Sequence, residues 1–230
     1  WLLLAAGLVA PGGFLVGGVG RLAKSKGFDT LIRAFGQAAL PDAKLVIAGE
    51  GRERAALERL ATEACPDGRI KFLGFRSDAK DLYQAFDLFV SPSRSEPLGR
   101  VLFEALDAGT PVLATRTQGP SEILSRFPGR LVAIDDVRAM AEAIREIAAS
   151  RPPRLQHDLS PWHLDTVVRE TLAAYRGLID AHDGGDTTRG RNPRALYELE
   201  VLADTGHHAG QRVGETRCAR RSCERCERRA

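Results

Sequence analysis

Short apolar and β-branched runs recur near 14–19, 44–48, 69–73, 87–91, 110–114 and 130–134, many of them closed by Gly, Ser or Pro. Bounded runs of this kind predict buried strands. Between and after them, at about 28–39, 52–64, 78–85, 99–108, 120–126, 136–149 and 163–182, the apolar positions follow a helical period. After Gly99, for instance, Val101, Leu102, Ala105, Leu106 and Ala108 recur at that spacing. Strands alternating with helices predict an α/β domain with a right-handed, mostly parallel sheet and helices on both faces. Ligands of such sheets bind beyond the carboxyl ends of the strands.

Two loops at predicted strand ends carry candidate chemistry. In Glu96-Pro97-Leu98-Gly99-Arg100-Val101-Leu102-Phe103-Glu104 two carboxylates stand eight positions apart around a helix start. At about 1.5 Å per helical residue this is roughly 12 Å, comparable to the separation of hexose and ribose in a nucleotide sugar. The helix N-terminus between them offers unpaired N–H groups and partial positive charge to a diphosphate. The plainer alternative is a pair of solvated helix-start glutamates. The second loop is Gly20-Arg21-Leu22-Ala23-Lys24-Ser25-Lys26-Gly27, after the first strand. Arg21 can grip phosphate oxygens bidentately and Lys26 supplies a compact charge, enough to neutralise a departing nucleoside diphosphate without a metal. Ordinary surface cations are the alternative.

In this order, roughly seventy to eighty residues apart, the two loops resemble the donor-binding domain of family 4 retaining glycosyltransferases, the C-terminal, Rossmann-like half of a GT-B fold. The resemblance runs through Lys44-Leu45-Val46-Ile47-Ala48-Gly49-Glu50-Gly51, Ile70-Lys71-Phe72-Leu73-Gly74-Phe75, Gly109-Thr110-Pro111-Val112-Leu113-Ala114-Thr115 and Gly119-Pro120-Ser121-Glu122-Ile123, covering about residues 14 to 180. It implies transfer of a hexose from a nucleotide-diphosphate sugar to a glycan or lipid-linked acceptor with retention, through front-face displacement and with no cofactor or metal. Gly20, Arg21 and Lys26 would hold the diphosphate. Glu104 would hold the ribose and Glu96 the transferred sugar, with backbone donors from Leu98 and Gly99 and with Gly74 and Phe75 near the base. Arg21, Lys26 and Glu96 are then the catalytic set, stabilising charge rather than forming a covalent bond. Reading Glu96 as a glycosidase nucleophile is a mistake that paired carboxylates invite. The sequence departs from the family pattern at Leu98, often Phe, at Asp107, commonly a small residue, and at Gln118, where a second glycine often precedes Gly119.

A GT-B enzyme closes its site between two domains, whereas only about thirteen residues precede the first strand, the chain starts at Trp1 and its sole methionine is Met140. The reading is therefore of a fragment: a residual linker or extra strand at 1–13, the nucleotide-sugar-binding domain at 14–182 and an Arg-rich, disordered tail at 183–230. The missing N-terminal half would supply the acceptor site, and the helix bearing Trp162, Val167, Val168, Leu172, Tyr175 and Leu178 would be left with an exposed apolar face. Trp1 to Ala10 is too short for the roughly 20 residues of a membrane span and lacks the basic start of a signal peptide.

In the tail, His207, His208, Cys218, Cys223 and Cys226 offer zinc ligands, but only one Cys-x-x-Cys pair exists. Seven arginines between Arg212 and Arg229 offer weak contact with anionic lipid or RNA, though such charge runs are usually solvated. With 43% hydrophobic and 27% charged residues, a net charge of +3 and no disulfide framework, the chain reads as a cytoplasmic protein that does not bind nucleic acid. The resemblance implies a bacterial pathway that builds polysaccharide, lipopolysaccharide or another glycoconjugate, which adds peripheral contact at the inner face of the plasma membrane. Two rival classes remain. A sugar-nucleotide epimerase of the same architecture needs a histidine in the donor cleft, for which His157 and His163 come too late. A non-catalytic nucleotide-binding module would bind without turnover.

Overall fold

A computed structural model describes residues 12–162 and 164–183. The expectations for the first eleven residues, His163 and the tail from residue 184, including its zinc ligands, lie outside the described residues. The described chain divides into two units, one ending at Leu159 and one beginning at Ser160. This division falls inside the 14–182 domain expected from the sequence.

Six strands form one sheet: β1 Phe14–Val19, β2 Ala43–Ala48, β3 Ile70–Gly74, β4 Leu88–Ser91, β5 Val112–Thr115 and β6 Arg130–Val132. Their order is β3-β2-β1-β4-β5-β6, and every neighbouring pair is parallel. The helices between and after them are α1 Phe28–Ala38, α2 Arg54–Ala64, α3 Ala79–Ala85, α4 Arg100–Asp107, α5 Gln118–Ile123 and α6 Val137–Ser150. The period of two along the strands sorts the core into two layers. Phe14, Val16, Leu45, Ile47, Leu88 and Val90 face α1, α2 and α6 on one side. Leu15, Val46, Phe89, Val112 and Ala114 face α3 and α4 on the other. Both faces are covered, as burial of a parallel sheet requires.

Two of the boundaries that differ from the sequence reading do so for local reasons. Helix α5 opens at Gln118 instead of 120, because Pro120 within a first turn has no N–H that the helix needs. Strand β5 opens at Val112 instead of 110, since Pro111 has no N–H for a ladder and the Thr110 hydroxyl is turned to the Tyr83 carbonyl at 2.6 Å. In the second unit a helix, α7, spans Leu164–Asp183, and its Tyr175 and Leu178 are 62% and 68% exposed.

The topology decides where the two candidate loops fall. Chain order reverses at β1, which pairs with β2 on one side and with β4 on the other, Val16 opposite Leu88 and Gly17 opposite Phe89. The loops following β1 and β4 therefore emerge side by side at a topological switch point, where open α/β sheets bind their ligands.

Candidate active site

The loop after β1 ends in a 3-10 turn, Lys24–Lys26, stopped by Gly27 at φ 63°. A Cβ at Gly27 would lie 2.0 Å from the Pro92 carbonyl oxygen, so the bare backbone is what lets the two loops touch. They are also joined by the Arg94 N–H, which donates to the Ser25 carbonyl at 2.8 Å. Across this seam the Lys26 ammonium donates to Glu96 Oε2 at 2.5 Å. Glu96 Oε1 accepts the N–H of Gly99, the residue capping α4, at 3.1 Å. Burial pushes the Glu96 carboxyl up, but the Lys26 hydrogen bond and charge and the Gly99 and Leu98 N–H groups outweigh it and hold it below its usual value. Glu96 is thus a fixed carboxylate that only accepts hydrogen bonds.

The Gly99 N–H, which the resemblance implies for the ligand, is here given to Glu96, whose side chain folds back over the helix start three residues on. The N–H groups of Arg100 and Val101, which lack an intrahelical acceptor, are the donors that helix geometry leaves at this end of α4. Leu98 is 61% exposed beside them. Behind the loop, the Gly119 N–H donates to the Glu96 carbonyl at 3.0 Å, and a Cβ at Gly119 would stand 2.6 Å from the Leu98 carbonyl carbon. Gly119 is thus the glycine this contact needs, while Gln118 is an exposed helix-opening residue.

Sequence reasoning missed Arg94. Its guanidinium donates to both oxygens of Asp29, at 2.9 and 2.8 Å, to Asp135 at 2.9 Å and to the Lys24 carbonyl at 2.6 Å. It ties the Glu96 loop to α1, to the phosphate-loop candidate and to the turn after β6. Burial raises the Asp29 carboxyl, but the bonds and charge of Arg94, with help from Arg33, bring it below its ordinary value. Hydrogen bonds from Arg94 and Thr30 lower Asp135 as well. Carboxyls depressed in the folded state add stability above their unfolded value of about 4 and lose it as pH falls below that. Arg94→Ala is expected to remove about 1–3 kcal/mol, discounted for its 30% exposed side chain, and to flatten acid destabilisation in urea melts between about pH 5 and 2. An unchanged acid limb would contradict this clamp.

The remaining predicted residues lie around the same edge. Gly20, Arg21, Gly49, Glu50, Phe75 and Arg76 line a cavity of about 350 Å³ beyond β1, β2 and β3. Its Phe75 ring is 77% exposed and its Arg76 is held by Asp78 at 2.7 Å. Gly74 ends β3 and accepts the Gly49 N–H at 2.7 Å. Glu104, one turn into α4, is exposed and accepts the hydroxyl of fully buried Tyr83 at 2.8 Å. His157 stands elsewhere, with Thr110, Pro111, Gly129 and Arg130 at the opposite strand ends, its ring 5.5 Å from that of Phe127. His157 is therefore not at the end of the sheet where the two loops meet, and His163 lies outside the described residues. Among the described residues no His, Cys, Asp and Glu cluster has metal-binding geometry.

The parallel sheet, with a cationic loop and a carboxylate loop side by side at its switch point, has the Rossmann-like architecture of one half of a GT-B glycosyltransferase. Residues 7–161 match the family described as glycosyl transferases group 1, and the chain belongs to that family. The match ends near Leu159 rather than at about 180, in step with the division into units. The chain is similar to the lipopolysaccharide core biosynthesis glycosyltransferase LpsE of Rhizobium meliloti, with 40% identity over 59% of this chain and 40% of LpsE. It is similar in structure to Anabaena Alr3699/HepE, solved with UDP-glucose, at 31% identity over 65% of this chain and 42% of that one, TM-score 0.59. It also resembles the C-terminal domain of the group 1 protein LpcC from Francisella tularensis, at 28% identity over 59% of this chain and 75% of that one, TM-score 0.53. The chain spans less than half the length of the curated relatives it matches.

Proposed function

We propose that residues 14–182 hold the donor half of a retaining hexosyltransferase, which binds a nucleoside-diphosphate sugar and, with an acceptor domain, transfers the hexose to a glycan or lipid-linked acceptor. The observation that carries the reading is the Lys26–Glu96 pair, which puts a cation and a hydrogen-bond acceptor 2.5 Å apart at the switch point, against the start of α4. Glu96 accepts from the sugar hydroxyls, while Lys26 and Arg21 face the diphosphate. Glu104 accepts from the ribose, and the base enters the cavity bordered by Phe75.

As the bond from the anomeric carbon to the leaving phosphate oxygen breaks, negative charge grows on the diphosphate. Arg21 and Lys26 stabilise it more strongly in the transition state than in the ground state, which is what accelerates a reaction. The acceptor hydroxyl attacks from the face the phosphate leaves, and that phosphate oxygen takes its proton. Configuration is retained without a covalent enzyme intermediate. The two cations carry the charge a metal would otherwise balance, so a chelator leaves donor binding unchanged. Relatives named for lipopolysaccharide core assembly support an acceptor of that class, met at the inner face of the plasma membrane. No described helix is long and apolar enough to cross a membrane.

Calorimetric titration of the purified chain with UDP, GDP, ADP and their glucose or mannose conjugates tests the reading. Saturable binding is expected, weakened about tenfold or more in Arg21→Ala, as loss of a charge-assisted contact implies. A folded chain that binds none of these ligands, or an Arg21→Ala variant that binds as well as wild type, would sink it.

A further inference from the structure

We infer that Tyr83 is a positioning residue for the ribose contact: its buried hydroxyl fixes the Glu104 carboxylate and thereby sets the preference for a ribonucleotide over a deoxyribonucleotide donor. The inference rests on the role proposed for Glu104. Glu104 is exposed on α4, where a glutamate ordinarily samples several rotamers, yet one of its oxygens is held at 2.8 Å from the Tyr83 hydroxyl. Tyr83 itself has no such freedom. It is fully buried, edge-on to Phe89 at 5.1 Å and to Phe86 at 6.2 Å, and its carbonyl accepts the Thr110 hydroxyl at 2.6 Å. Burial, and after it the charge of Glu104, push the phenol upward in pKa, so it stays protonated and can only donate to the carboxylate.

The asymmetry of the two oxygens gives the arrangement its direction. Oε2 accepts the phenol hydrogen bond from the protein side, which leaves Oε1 to accept from an incoming ribose. A glutamate held in this way does not lose its rotamer entropy on binding, a saving that matters only for a ligand with ribose hydroxyls to donate. Removing the phenol oxygen leaves the exposed carboxylate to water, so Tyr83→Phe does not strand a buried charge.

The experiment titrates wild type, Tyr83→Phe and Glu104→Ala, each as the full chain, with UDP, GDP and ADP and with the 2′,3′-dideoxy form of whichever binds most tightly. Wild type is expected to prefer the ribonucleotide. Tyr83→Phe should lose about threefold to tenfold of that preference, with dideoxynucleotide affinity unchanged, on the scale of one ordered side chain. Glu104→Ala should abolish the preference. An intact ratio in Tyr83→Phe beside a collapsed ratio in Glu104→Ala overturns the positioning role and leaves the ribose role standing. Equal losses for both nucleotides in Tyr83→Phe reduce the tyrosine to packing and overturn the inference too. An unchanged ratio in Glu104→Ala, or a wild-type chain that binds neither nucleotide, overturns the ribose role and the inference with it.

Discussion

Gly27→Ala is expected to destabilise the chain by about 3–5 kcal/mol, the sum of a left-handed backbone penalty and an unrelievable overlap. The residue stands at φ 63°, and the new methyl group would meet the backbone oxygen of Pro92 at 2.0 Å. No flexible side chain is present to move aside, so the loops after β1 and β4 must part. The same parting would pull Lys26 from Glu96, so nucleotide binding should fail at temperatures where the variant is still folded. Urea melts report the first effect as a fall in midpoint with little change in slope. A shift below about 0.5 kcal/mol, the ordinary range of surface changes, would mean the loops do not depend on this contact.

Glu96→Gln is expected to separate sugar recognition from nucleotide recognition. The amide keeps the shape but loses the charge that draws Lys26 and orders the start of α4. Affinity for the nucleotide sugar should fall by about 10- to 100-fold, in line with one or two charge-assisted hydrogen bonds. Affinity for the free nucleoside diphosphate should hold or rise, because the Lys26 ammonium is released from a partner now 2.5 Å away and can turn to phosphate. Equal losses for both ligands would show that Glu96 supports the loop rather than the sugar.

The fold was legible because each strand run announced itself by composition and each helix by its period, and because alternation leaves a parallel sheet as the economical packing. Two of the element edges that moved, Gln118 and Val112, moved through Pro120 and Pro111, whose effect depends on which N–H the neighbouring structure requires. The two loops were legible as charged, glycine-bearing punctuation after strands. Arg94 and Tyr83 were not. Arg94 reads as a solvated cation in a Ser/Pro loop, and its partners Asp29 and Asp135 stand 65 and 41 positions away. Tyr83 reads as one more apolar residue of α3, and only α4 lying over it gives its hydroxyl a carboxylate.

The sequence by itself determined the class of architecture, the pair of loops and their residue types, since periodicity and turn chemistry act over a few positions. Tertiary structure alone decided that Lys26 meets Glu96, that the Gly99 N–H donates to Glu96, that Arg94 joins Asp29 to Asp135, and that Tyr83 donates to Glu104. Those contacts arise because β1 lies beside β4 in the sheet, which brings together segments some seventy residues apart.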